Sequence, residues 1–341
     1  MNYENFDPNG VGINNGNIFG FPYTIEDAEI VIIPVPWDAT ASFGKGTSNG
    51  PQRILDASPQ LDFYHPKFPE AWKTRIAMTP ISDEWKEIND KYCGKAMEYI
   101  SFLEDGGTIS TNPAYQRTLT EIAEAQQALA LHLKEKALEL REEGKLVAVL
   151  GGEHSTPLGL ITALAEKEEF GILQIDAHAD LRDAYEGFEQ SHASIMFNAL
   201  KLDHVQKLVQ VGIRDVAQTE IDLVNSDPRI RTFYDWEIKE AGYEGKTWKE
   251  QVSEILAELP QKVYVSFDID ALKPYLCPNT GTPVPGGFEL EEVAYLLFEL
   301  ALSGKEIIGF DLNEVGDDEW DGNVGARALW NLCIAAKASR Q

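Results

Sequence analysis

The chain has 341 residues, with 29 Lys and Arg against 56 Asp and Glu and a net charge of -27. That length suits one large α/β domain or two ordinary ones and can bury a sizeable core, while the acidity excludes nucleic acid as a partner because phosphates are repelled. Three widely spaced cysteines, Cys93, Cys277 and Cys333, exclude a disulfide framework and a zinc knuckle.

The segment Met1–Pro22 is rich in Asn and Gly, with no basic or apolar leader, and no apolar run reaches a membrane span. A cytoplasmic protein without a membrane partner is expected. Residues 1–25 read as an N-terminal extension, and residues 26–341 as a single domain, since no repeat or linker divides them. Strands are predicted at Ile30–Pro34, Arg75–Met78, Leu146–Leu150, Gly171–Asp176, Leu208–Ile213, Ile230–Tyr234, Val263–Asp268 and Ile307–Asp311. Most are continuous apolar runs, the pattern of a parallel sheet covered on both faces. Residues 85–113 read as a helical insertion whose Trp85, Tyr92, Tyr99 and Phe102 serve packing. A long helix is predicted from Thr118 to Glu143: Thr118 and Glu121 resemble a capping box, Ile122, Leu129, Leu133 and Leu140 share one face, and Gly144 ends it. Alternating helices and strands predict a three-layer α/β/α fold with a doubly wound, mainly parallel sheet of about eight strands.

The six histidines divide into two groups. His65, His132 and His204 sit in ordinary surroundings, whereas His154, His178 and His192 lie in acidic or Gly-rich segments just beyond predicted strands. Asp176-Ala177-His178-Ala179-Asp180 follows one apolar strand and offers three potential ligands at the carboxyl end, where open α/β sheets build their sites. Ser266-Phe267-Asp268-Ile269-Asp270 ends another, and residues two apart in an extended segment share a face. Turn chemistry accounts for either segment alone. If the two strands are neighbours, however, four carboxylates meet at one sheet edge, with His154 of the Gly151–Ser155 turn nearby. Such a set needs cations to compensate it. Two divalent ions with mixed Asp/His ligation suit Mn(II), with Ni(II), Co(II) or Fe(II) as alternatives, and a water shared by two ions becomes a hydroxide nucleophile near neutral pH.

Six segments resemble those of the ureohydrolases, the arginase/agmatinase/formimidoylglutamase family. They are GGEHS at Gly151–Ser155, DAHAD at Asp176–Asp180, SHAS at Ser191–Ser194, SFDIDALKP at Ser266–Pro274, TGTPVPGG at Thr280–Gly287 and GFDLNEV at Gly309–Val315. Pro34 to Ser58 is similar to the family's first strand, Gly-rich loop and helix. The resemblance spans nearly the whole chain apart from the extension and the insertion. It implies one metal held by His154, Asp176, Asp180 and Asp268, and a second by His178, Asp176, Asp268 and Asp270, with Asp176 and Asp268 bridging. It further implies that Glu314 grips the substrate guanidinium, as a carboxylate can grip a planar cationic fork, and that His192 relays a proton to the leaving amine. A homo-oligomer, trimer or hexamer, is also implied.

Three positions depart from the family's pattern. Glu153 stands where Asp is commoner and is expected beside the site as a supporting residue. Lys273 replaces the usual Asp before Pro274. Ala217 stands where arginases have an Asp that reads the α-amino group of arginine, which counts against L-arginine.

The expected activity is hydrolysis of a small cationic, agmatine-like guanidine to urea and an amine by a metal-bridging hydroxide. The alternatives are nickel-dependent hydrolysis of free guanidine, then formimidoylglutamase activity. A single-zinc deacetylase of the same fold is disfavoured by the full carboxylate set. A non-catalytic binding protein is disfavoured because none of the six ligand positions is lost.

Overall fold

The computed structural model describes residues 6–109 and 112–341. Its strands are β1 (Ile30–Pro34), β2 (Ile76–Met78), β3 (Leu146–Leu150), β4 (Phe170–Ile175), β5 (Val205–Ile213), β6 (Ile230–Tyr234), β7 (Lys262–Asp268) and β8 (Glu306–Asn313). They form one sheet in the order β2-β1-β3-β8-β7-β4-β5-β6. Every pairing is parallel.

The helices are α1 (Gly50–Ala57), α2 (Asp83–Glu104), α3 (Pro113–Glu142), α4 (Leu158–Ala165), α5 (Ile195–Ala199), α6 (Gln218–Ser226), α7 (Asp235–Tyr243), α8 (Trp248–Ala257), α9 (Leu290–Leu302) and α10 (Glu319–Ala338). Both faces of the sheet are covered, which is why the strands read as unbroken apolar runs. Ile30 and Ile32 of β1 and Val263 and Val265 of β7 point to one core, shared with Val252 of α8, Leu296 of α9 and Leu329 of α10. Val31 and Ile33 of β1 and Tyr264 of β7 point to the other, shared with Tyr99 of α2, Leu129 of α3 and Leu160 of α4. Three α/β/α layers result.

The long helix starts earlier than predicted. Asn112 accepts the Ala114 N–H at 3.0 Å and Pro113 occupies the first turn, where a missing N–H costs nothing. Thr118 and Glu121 therefore lie within α3, and Glu121 instead pairs with Lys95 of α2. Tyr92 and Tyr99 are buried between these two helices and the sheet. Among the residues expected to form the N-terminal extension, Ile18, Phe19 and Phe21 are fully buried against Phe63 and Trp330. Asn17 fastens that stretch to β2 by accepting the Met78 N–H at 2.9 Å.

The chain builds β1–β3 on one side, crosses to β4–β6, and returns through β7 and β8 to fill the gap. The carboxyl ends of β3, β8, β7 and β4 stand side by side, with Leu150 level with Leu312, Asp268 with Asn313 and Ile175 with Phe267. Such a reversal point leaves a crevice outside the strand ends.

Candidate metal centre

Asp176 is the first residue beyond β4. Its Oδ1 accepts the His178 N–H at 2.7 Å and its Oδ2 the Gln174 side chain at 2.8 Å. Asp180 has a left-handed backbone (φ 54), uncommon outside glycine; its carbonyl receives the N–H groups of Met196 and Phe197 at the start of α5, which holds it there. Asp268 ends β7, as predicted. Asp270 is not extended, however: residues Ile269–Ala271 form a 3-10 turn, with Asp268 Oδ1 accepting the Asp270 N–H at 2.9 Å. The two carboxylates still converge, because the turn swings Asp270 towards β4, where it accepts the Ala177 N–H at 3.1 Å.

His154 is fully buried in the turn after β3. The Gly151-Gly152 pair lets that turn lie against the neighbouring backbone, since a Cβ on Gly152 would fall 2.0 Å from the Trp37 carbonyl oxygen. Nε2 of His154 meets Ser266 Oγ at 2.8 Å, and Ser266 donates to Asp311. Nδ1 faces Asp176 Oδ2 at 3.0 Å, Asp180 Oδ2 at 3.0 Å and Asp268 Oδ2 at 3.3 Å, yet has no hydrogen-bond partner. On the other side His178 Nδ1 lies 2.9 Å from Asp270 Oδ2 and 3.7 Å from Asp176 Oδ1. Ligand atoms of His154, Asp176 and Asp268 lie within 4.8 Å of one another, as do those of Asp176, His178 and Asp270. Asp176 is common to both groups. Asp268 falls in the first, and its Oδ1 also accepts the Asp270 N–H beside the second.

The electrostatics describe a site in need of positive charge. Burial and the nearby carboxylates raise Asp176, Asp268 and Asp180, the last to about 7. Burial alone would lower His154 and His178, but the carboxylates around them outweigh it and raise both. Burial also works to raise Asp270, yet His178 and the Ala177 N–H prevail and hold it down at about 2. An orphaned imidazole nitrogen facing three carboxylate oxygens, and a mixed Asp/His donor set, fit divalent ions of the first transition row.

A cavity of about 290 Å³ opens onto this cluster, lined by His178, Asp180, His192, Tyr185, Phe43 and Val284 among others. Larger clefts of about 520 and 570 Å³ lie elsewhere and hold no such ligand set among the described residues. His192 has a buried Nδ1 without a hydrogen bond, and its Nε2 lies 3.3 Å from Ser42 Oγ. Burial, with His178 and Lys45, pushes its pKa down to about 3, so the ring is neutral. Glu314 lies behind the cavity, 3% exposed and left-handed (φ 62). Its Oε1 accepts the His154 N–H at 3.0 Å and its Oε2 has no partner. Gly281 clears the way to that oxygen, since a Cβ there would sit 2.8 Å from it. Glu153 receives Thr40 and Ser155 hydroxyls, Lys273 pairs with Glu289 at 2.7 Å, and His65, His132 and His204 lie away from the site.

Sequence reasoning missed Ser42, which meets His192, and Arg214. The Arg214 guanidinium donates to the carbonyls of Asp270 (2.7 Å), Leu272 and Val284 (2.9 Å), clamping the Asp270 turn to the cavity wall. Its signal, Arg at a strand end followed by Asp, is indistinguishable from a surface ion pair.

Metal removal has a pH signature. Asp180 binds its proton more tightly folded, at about 7, than unfolded, at 3.8. It therefore stabilises the metal-free fold at acid pH and loses that contribution as pH rises through that window. The raised histidines act in the same sense, helping below their unfolded value of 6.5 and ceasing to help as pH passes their folded values. Asp270 acts oppositely, but only between 3.8 and about 2. Bound metal needs deprotonated ligands and so favours high pH. The melting-temperature gap between metal-loaded and chelator-treated protein is expected to widen from about pH 5 to about pH 8. Calorimetry at several pH values checks this, and a gap that is flat or narrows would rule these groups out as ligands.

Comparison with known proteins places the chain among relatives. The chain is 30% identical over 292 residues to the N(1)-aminopropylagmatine ureohydrolase of Synechocystis sp., covering 85% of this chain and 82% of that protein. It is 29% identical over 298 residues to the agmatinase of Bacillus anthracis, covering 86% and 85%. The solved agmatine ureohydrolase of Thermoplasma volcanium shares the fold, with a TM-score of 0.68 at 21% identity over 93% of this chain and 92% of that one. The arginase-family profile matches residues 28–333, nine-tenths of the sequence, and the chain therefore belongs to the arginase family.

Proposed function

We propose that the protein hydrolyses the guanidino C–N bond of a small, agmatine-like guanidine to urea and an amine at a two-metal centre. The observation that carries this reading is the convergence of His154, Asp176, His178, Asp180, Asp268 and Asp270 on two adjoining ligand sets beside one cavity. In this reading His154, Asp176, Asp180 and Asp268 hold one ion, and His178, Asp176, Asp268 and Asp270 the other. Mn(II) is the leading ion and Ni(II) the alternative. When bound, two such ions supply Lewis acidity and water that ionises near neutral pH. In this reading the enzyme works as a homo-oligomer, a trimer or hexamer, as the family resemblance implies, and in the cytoplasm, as its sparse, unpaired cysteines suggest.

The remaining steps belong to side chains. Glu314 offers an unpartnered, buried carboxylate oxygen to the N–H groups of a guanidinium; burial and Glu153 raise its pKa, so an arriving cation favours the anion. His192, neutral at rest, takes up at one ring nitrogen a proton released by the attacking water and delivers one to the departing amine, returning to the neutral ring. Replacing His192 with Asn is expected to lower kcat by about 10²–10⁴-fold, with both metals retained and KM changed little. Steady-state kinetics beside metal analysis checks this; an unchanged kcat would remove His192 from the chemistry.

The test of the activity is urea release from a panel of guanidines after loading with Mn(II) and, separately, Ni(II). Release from agmatine-like compounds is expected, and no release from any guanidine by protein holding two ions per chain would overturn the reading. L-Arginine is expected to be poor, because Ala217, which follows the cavity-lining Val216 in sequence, offers a methyl group and no side-chain acceptor to an α-amino group. Arginine turned over as efficiently as agmatine would refute that expectation. Free guanidine is the second reading. It is kept because the Gly44 N–H to Gly281 carbonyl bond of 3.0 Å joins two loops beside Glu314, where a compact guanidinium alone meets the free carboxylate oxygen.

A further inference from the structure

Gln126 interrupts the buried stripe of α3. Its neighbours there, Ile122, Leu129 and Leu133, are apolar, and Gln126 itself is 4% exposed. A buried amide is costly unless its hydrogen bonds are met. Here they are met by the rim of the site: Nε2 donates to Thr40 Oγ1 at 3.3 Å and to the Gln190 carbonyl. Thr40 belongs to the loop between β1 and α1 that carries Ser42. Gln190 lies two residues before His192. Across the gap between these loops Ser42 Oγ faces His192 Nε2 at 3.3 Å.

Helix α2 secures the same two loops further out. Asn89, 2% exposed, accepts the Asp38 N–H at 2.8 Å and donates to Asp38 Oδ1 at 3.1 Å. Tyr99 donates its hydroxyl to the Glu186 carbonyl at 2.7 Å. Each helix thus spends a buried polar group on the active-site rim, and Gln126 alone among these three contacts both loops.

We propose that Gln126 is a positioning residue for proton transfer: by tying the Thr40 loop to the Gln190 carbonyl it fixes where the His192 ring stands relative to Ser42 and the leaving group. The proposal rests on the reading of His192 as the proton relay. A displacement of about 1 Å at a reacting group costs on the order of a hundred-fold in rate, so a side chain that sets this distance acts on kcat without touching the substrate.

The test uses Gln126→Leu and Gln126→Met, which keep volume and remove the amide, each made with and without His192→Asn in metal-loaded enzyme. Alone, each is expected to lower kcat by about ten- to a hundred-fold, with metal content unchanged and KM within about two-fold. Amide exchange over residues 186–194 should quicken. In the His192→Asn background the same substitutions should lower kcat by less than about two-fold further, because coupled residues are not additive. Losses that multiply would overturn the proposal, and so would unchanged exchange with unchanged kcat. Loss of cooperative melting in both variants would make Gln126 a folding residue and overturn it too. A His192→Asn enzyme of normal kcat would instead sink the relay reading itself.

Discussion

Asp268→Ala is expected to give a folded protein that no longer holds its metals and no longer releases urea. The Asp268 carboxylate has two tasks. Oδ2 stands 3.3 Å from His154 Nδ1 in the first ligand set, and Oδ1 fastens the 3-10 turn that delivers Asp270 to the second. Truncation removes the ligand that the proposed assignment shares between both ions, and with it the support of the Asp270 turn. Metal Lewis acidity is worth several kcal/mol in such chemistry, so activity should fall by at least about a thousand-fold. Stability supplies a second readout: added Mn(II) or Ni(II) should raise the Tm of the wild type and no longer raise that of the variant. Metal analysis showing two full-occupancy ions in the variant would refute the ligand assignment.

Glu314→Gln separates substrate binding from metal binding. The substitution keeps the shape and the acceptor for the His154 N–H while removing the charge. A charge-assisted hydrogen bond contributes about 1.5–3 kcal/mol, so losing the one made by the free Oε2 should lower kcat/KM by roughly 10–10²-fold with both ions retained. The pH dependence supplies a second signature. Since burial and Glu153 raise the Glu314 pKa, the anion that grips a cation forms more fully as pH rises. KM should therefore fall with rising pH in the wild type, and the variant should lose this dependence. Unchanged kinetics in stable, metal-replete Glu314→Gln protein would remove the guanidinium-binding role.

The sheet was legible because its strands are buried on both faces: runs such as Ile30–Pro34 and Leu146–Leu150 carry no alternation and have no other stable place. The acidic segments after two such runs were legible for the same reason, since a strand end is a fixed place in an α/β sheet. Which strands stand side by side was not legible, because the register of Ile175 with Phe267 is set by long-range packing. Local signals also competed. Thr118 and Glu121 carry the pattern of a helix start, yet Asn112 and Pro113 carry one as well, and the burial of Ile122 and Leu129 suits either. The supporting residues were the least visible. Asn89, Gln126 and Arg214 are ordinary residues in their local sequence, and their roles exist only through partners tens of residues away.

The central position of β8 bears on how the protein is made. Vectorial synthesis completes β1, β2 and β3 first, then β4 to β7, and only last the strand that lies between β3 and β7. Until residues 306–313 have left the ribosome, the half carrying His154 has no partner strand joining it to the half carrying Asp176, His178 and Asp268. Of the two ligand sets, the one that includes His154 draws on both halves and waits for β8, whereas Asp176, His178 and Asp270 all belong to the half built on β4 and β7. Completion of the pair of sites is thereby tied to the finished fold, where ligand number and geometry decide which ions stay.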